Sequence, residues 1–161
     1  MKKLIVTLLV VAAALAAPYS AKAIEDPFPK GTLIYGLQAG YLPYFGATMY
    51  GDSVLVDSWW KGHFTVGAQL GYMGYNGFRH NFLSVTPRAT YGLNITEKFE
   101  VHAGALLGLG AYIAHQNTDL HFCYGGLAGI RLFFTEALAL SAEVNYTGFN
   151  PYFNVGLALK F

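Results

Sequence analysis

At 161 residues the chain has room for one domain. It is 54% hydrophobic and 12% charged, about half the charged share of a soluble domain. Yet past the first twenty residues no apolar run is long enough to cross a membrane as a helix. A net charge of +1 without a basic run counts against a nucleic-acid partner, and the single Cys123 excludes an intramolecular disulfide and a cysteine-only metal site.

Met1 to Ala23 carries the parts of an export signal. Lys2 and Lys3 give the positive start, Leu4 to Ala17 the apolar core, and Ala21-Lys22-Ala23 an A-x-A cleavage site. The apolar core is too short for a spanning anchor. Residues 24–30, IEDPFPK, read as a short lead-in, and residues 31–161 as the folded domain.

From Gly31 the chain becomes a series of segments whose faces alternate in character, the period of a β-strand. Thr32–Leu42 sets Leu33, Tyr35, Leu37, Ala39 and Tyr41 against Ile34, Gly36, Gln38 and Gly40. Gly46–Val56 is the least regular, and a bulge is expected at Gly51-Asp52. Asp57–Lys61 reads as a turn carrying Trp59 and Trp60. Gly62–Met73 alternates cleanly, followed by a loop over Tyr75–His80. Asn81–Leu93 contains Pro87, which predicts a bulge beside Arg88 because a closed barrel has no edge for a missing donor.

A turn at Asn94–Glu97 leads into the long Lys98–Ile113 segment. A loop at His115–Asp119 precedes Leu120–Phe134, and a turn at Thr135–Ala137 precedes Leu138–Gly148. The last segment, YFNVGLALKF, puts Phe153, Val155, Leu157, Leu159 and Phe161 on one wholly apolar face. The count is eight strands. High hydrophobicity diluted by alternation, with 19 glycines, 12 tyrosines and 12 phenylalanines, fits an all-β, eight-stranded antiparallel up-and-down transmembrane barrel.

Charge decides which face is outside. Asp52, Arg88, Glu100, Arg131, Glu143 and Lys160 are the ionisable acids and bases within the segments. A water-facing exterior would be about a quarter to a third charged. The apolar stripes therefore face lipid, and the Gly, Ala, Thr, Ser and Gln stripes face a narrow interior.

Arg88, Glu100, Arg131 and Glu143 all point inward by the alternation and form the candidate interior polar network. Arg88 is expected to meet Glu100 across one hairpin and Arg131 to meet Glu143 across the next, directly or through neighbours. A buried charge must be paired, so this network reads as structural filling, with a polar path along the axis as the alternative. His63 and His102 also face in. His80, His115, Asp119 and His121 gather at the outer rim, where a metal site or an acid–base pair is conceivable, though no spacing fixes either. Ser84 and Ser141 have no evident His partner, so no catalytic residue, metal ligand or cofactor is assigned.

Two aromatic bands fit interfacial girdles. Tyr41, Tyr44, Phe45, Tyr72, Tyr75, Phe82, Tyr112, Phe122, Tyr146 and Phe149 lie near the outer ends. Trp59, Trp60, Tyr91, Phe99, Phe134 and Phe161 lie near the periplasmic ends.

The segments TPRATYGLNITEKFEVHAGALLGLGAY and FNVGLALKF resemble the small outer-membrane β-barrels of diderm bacteria, akin to OmpX-like and OmpA-barrel proteins. The resemblance covers Gly31 to Phe161. It implies an outer-membrane location, a lipid environment and passage through the barrel-assembly machinery, with Phe161, Leu159 and Leu157 resembling the signal that machinery reads. It implies no catalytic residue. The short loops depart from adhesive relatives with long ones. The expected role is non-enzymatic, in envelope integrity or surface interaction. A narrow channel and a lipid-modifying enzyme using rim histidines are the alternatives.

Overall fold

The computed structural model describes residues 27–60, 62–75, 80–114 and 117–161. The export-signal reading of Met1–Ala23 lies outside them. Eight strands follow in chain order: β1 Leu33–Tyr41, β2 Phe45–Trp59, β3 Gly62–Tyr75, β4 His80–Thr96, β5 Phe99–Ala114, β6 Thr118–Phe133, β7 Leu138–Tyr146 and β8 Phe153–Lys160. Each pairs antiparallel with its chain neighbours, and β1 pairs with β8 from Ile34↔Lys160 to Tyr41↔Phe153 to close the barrel. Closure pairs the first strand with the last, so neither is left as a sheet edge.

Alternation produces two surfaces. On β1 every second residue is buried, from Ile34 to Gly40, while Leu33, Tyr35, Leu37, Ala39 and Tyr41 are exposed. Leu37 on β1, Leu107 on β5 and Val155 on β8 are 64%, 54% and 54% exposed. An outer face this apolar is stable in hydrocarbon, not in water. Inside lie Gln38, Thr48, Thr65, Gln69, Thr86, Thr90, Ser141 and Asn154, all buried. Small inward residues make room for large ones. At Gly36 an added Cβ would run into the ring of Tyr50, and at Gly110 into that of Phe149.

Two irregularities fall elsewhere than the sequence suggests. Gly51 and Asp52 pair in unbroken register with both neighbours, Tyr35 and Ile34 on β1 and Ala68 and Gly67 on β3. The register shifts come later, between Val54 and Val56 and between Val56 and Trp59. Strand β2 thus runs on to Trp59, through most of the expected turn, with Ser58 and Trp60 at φ of 55° and 51°. Pro87 produces no bulge. The β4–β5 register is the same at Val85↔Leu109 and Arg88↔Leu106, and only the pairing of Thr86 and Pro87 is lost. An outward-facing proline is accommodated by a gap in one ladder while Ala68 still pairs with it on the other side.

The end at which β1 begins and β8 finishes is the terminal end, and the other is the distal end. At the terminal end sits a small apolar core of Phe28, Ile34, Tyr50, Val54, Phe133, Ala139 and Ala158. Phe28 belongs to the stretch before β1, and 1% of it is exposed. The barrel wall is uneven: β4, β5 and β6 have 17, 16 and 16 residues, whereas β7, β8 and β1 have 9, 8 and 9.

Candidate functional site

The centre of the lumen is a charge cluster assembled from six strands. Asp52 and Tyr50 come from β2, His63 from β3, Arg88 from β4, Glu100 and His102 from β5, Arg131 from β6 and Glu143 from β7. All are buried, because each sits at an inward position of its strand.

One partnership is set by a hairpin and the other across the lumen. Arg131 stands opposite Glu100 in the β5–β6 ladder, and its Nη1 donates to Glu100 Oε1 at 2.8 Å. Arg88 crosses the lumen to β7, where Nη2 meets Glu143 Oε1 at 3.1 Å and Nη1 meets Oε2 at 3.4 Å. The hairpin pairs expected from sequence are displaced: Arg88 faces Leu106 and Glu100 faces Asn94 in the β4–β5 ladder, and Arg131 approaches Glu143 no nearer than 4.0 Å. Asp52 sits between both cations, 3.1 Å from Arg88 Nε and 3.5 Å from Arg131 Nη2. Two guanidiniums therefore face three carboxylates.

Further side chains complete the cluster. The Tyr50 hydroxyl accepts from Arg131 Nε at 3.2 Å, and the Arg88 guanidinium carbon lies 4.2 Å from the Tyr50 ring centroid. That is a cation–π contact in a desolvated setting. His102 Nε2 is 3.0 Å from Glu143 Oε1, and His63 Nε2 is 3.4 Å from Glu100 Oε1. Gln69 accepts from Arg88 at 2.9 Å. Eight strands leave an interior just wide enough for side chains, and six of the eight contribute to this cluster.

Aromatic side chains gather at both ends. At the distal end Phe82 lies 5.0 Å from Tyr112 and 6.1 Å from Phe149, and Tyr44 lies 5.9 Å from Phe82. Below them Ser84 donates to Asn150 Oδ1 at 2.6 Å, drawing the β7–β8 connection inward. Phe82, Tyr112 and Phe149, grouped with the outer girdle by sequence, thus cap the lumen. Tyr41, Phe45, Phe122 and Tyr146 do lie exposed on the outside. At the terminal rim Tyr91 donates to the carbonyls of Trp59 and Trp60 at 2.8 and 3.0 Å, fixing that turn.

The rim histidines do not converge. His80 Nδ1 is 2.5 Å from the Tyr112 hydroxyl, His121 lies against the Phe149 ring at 5.7 Å, and Asp119 faces Tyr112 in the ladder. His115 lies outside the described residues. Among the described residues no group of three or more His, Cys, Asp and Glu side chains is placed to hold a metal. Cys123 is buried and faces the lumen. Leu157, Leu159 and Phe161 are exposed on the outer surface at the end of the closing strand.

The polar inside and apolar outside invert the arrangement of a soluble barrel. The fold is that of a transmembrane β-barrel. It is similar to a designed transmembrane β-barrel at 16% identity over 86% of this chain and 100% of that one, with a TM-score of 0.57. A likeness to Ail, the attachment invasion locus protein of Yersinia pestis, has 12% identity over 80% of this chain and 92% of that one, with a TM-score of 0.44. No family model and no curated protein matches the sequence.

Residues that sequence reasoning left out are Asp52, Tyr50 and Phe28. Asp52 and Tyr50 share the inward parity of β2, which was the available signal. Phe28, flanked by Pro27 and Pro29, lies in no periodic segment.

Proposed function

We propose that the chain is an integral outer-membrane barrel with a sealed lumen, and that its role is structural or interactive at the envelope, without catalysis. The observation that carries this reading is the combination of an apolar exterior with an interior closed by its own side chains. Its surroundings are outer-membrane lipid, and the barrel-assembly machinery inserts it. The sequence resemblance and the export-signal reading of the first 23 residues support that location.

Locked charges count against a channel. A permeating ion would have to pass Arg88 and Arg131, both hydrogen-bonded to carboxylates, in a barrel of only eight strands. The separated positions of His80, Asp119 and His121 give a lipid-modifying enzyme little support. The deciding experiment reconstitutes the purified barrel in planar bilayers across pH and voltage. Silence is expected, and steady unitary conductance overturns the sealed reading.

A further inference from the structure

The lead-in before β1 enters the barrel with one side chain. Pro27 and Pro29 bracket Phe28, and neither proline has an N–H to offer a ladder. The phenyl ring instead enters the terminal mouth. It stacks on His63 with centroids 4.2 Å apart and planes 24° apart, and meets Phe133 edge-on at 5.6 Å. Lys160 holds the segment from β8, its Nζ 5.0 Å from the Phe28 ring and 3.2 Å from the Pro27 carbonyl oxygen to which it donates. Beyond His63 lies Glu100 and the charge cluster.

We propose that the terminal mouth is a binding pocket for the aromatic ring of a proline-flanked peptide, and that its resident ligand is this chain's own Phe28. The ring is the seal between the periplasmic water and the His63–Glu100 edge of the charge cluster. Gly31 N donates to Val54 O at 2.9 Å and Lys30 N to Asp57 Oδ2 at 3.1 Å, so the strap is hinged to β2 even when the ring leaves. Apolar enclosure by Ile34, Val54 and Phe133 favours a ring over a charged or small side chain.

The test is site-resolved acylation of histidine by diethylpyrocarbonate, mapped by mass spectrometry on the full, folded protein in micelles. In the wild type His63 reacts far more slowly than the exposed His121. In Phe28→Ala it reacts about tenfold faster or more, whereas His102, deeper in the lumen, stays slow. A synthetic Asp-Pro-Phe-Pro-Lys peptide added in trans restores the protection, and the same peptide with Ala in place of Phe does not. An unchanged His63 rate in Phe28→Ala overturns the seal, and so does a joint rise of His63 and His102, which means general loosening. Should Phe28→Ala not fold, 4-fluorophenylalanine at position 28 of the otherwise native chain decides the matter. Its fluorine resonance is ring-current shifted and shielded from a soluble paramagnetic probe if the ring is seated. A resonance at the free-peptide position refutes the pocket.

Discussion

The three-to-two excess of carboxylates over guanidiniums makes the cluster's response to charge removal lopsided. Arg131→Met takes away the hydrogen-bonded partner of Glu100, one of the two cations beside Asp52 and the donor to Tyr50. Glu100 is left facing only His63 at 3.4 Å and His102 at 3.7 Å. Stripping one partner from a buried ion pair costs about 3–5 kcal/mol. Asp52→Asn instead leaves Arg88 bonded to Glu143 and Arg131 bonded to Glu100, and equalises the acids and guanidiniums. Its cost should stay near that of one ordinary hydrogen bond, about 1 kcal/mol. The two variants then differ by about 2–4 kcal/mol, roughly 30- to 700-fold in the folding equilibrium. Urea-driven folding into phosphatidylcholine vesicles, followed by the fluorescence of Trp59 and Trp60 and by heat-modifiable gel mobility, measures both. If Asp52→Asn costs as much as Arg131→Met, the pairing of Arg88 with Glu143 and of Arg131 with Glu100 is not what stabilises the lumen.

Leu107→Arg, on the outer face midway along β5, should cost about 2–4 kcal/mol in a bilayer. A change within about 0.5 kcal/mol, usual for a water-exposed surface position, would place that face in water. Gly36→Val pushes a side chain into the Tyr50 ring and so disturbs both arginines at once. Overpacking alone should cost about 1–3 kcal/mol, read as a lowered urea midpoint, and an unchanged midpoint contradicts the close fit.

The architecture was legible because alternation is local. Leu33 to Tyr41 declare their two faces without reference to any other strand, and the same holds for Phe64 to Tyr72. Inward orientation of Arg88, Glu100, Arg131 and Glu143 follows from the same parity. The cross-lumen pair of Arg88 and Glu143 does not, since who meets whom across a lumen depends on the stagger with which eight strands close, and no single hairpin contains that information. Asp52 was obscured by Gly51, which reads as a break in a strand that in fact continues. The displaced irregularity at Val54–Trp59 arises where the left-handed Ser58 and Trp60 reverse the chain. Phe28 was invisible to any search for periodicity, since the lead-in has none.

The uneven wall has a consequence for the surrounding lipid. At about 3.3 Å per residue and a tilt near 40°, the seven-residue difference between β5 and β7 amounts to roughly 15–20 Å of height. A strand of nine residues fits an apolar band about 25 Å tall, whereas β4, β5 and β6 overshoot it on one side. Leu120 and Phe122, outward on the overshooting part of β6, remain apolar. A bilayer of uniform thickness cannot cover both flanks of an upright barrel. Either the barrel leans toward its short flank or the leaflet swells beside the tall one, and each relieves hydrophobic mismatch at a cost of fractions of a kcal/mol per Å. The protein would then imprint a direction on the membrane, drawing thicker lipid to one side of itself.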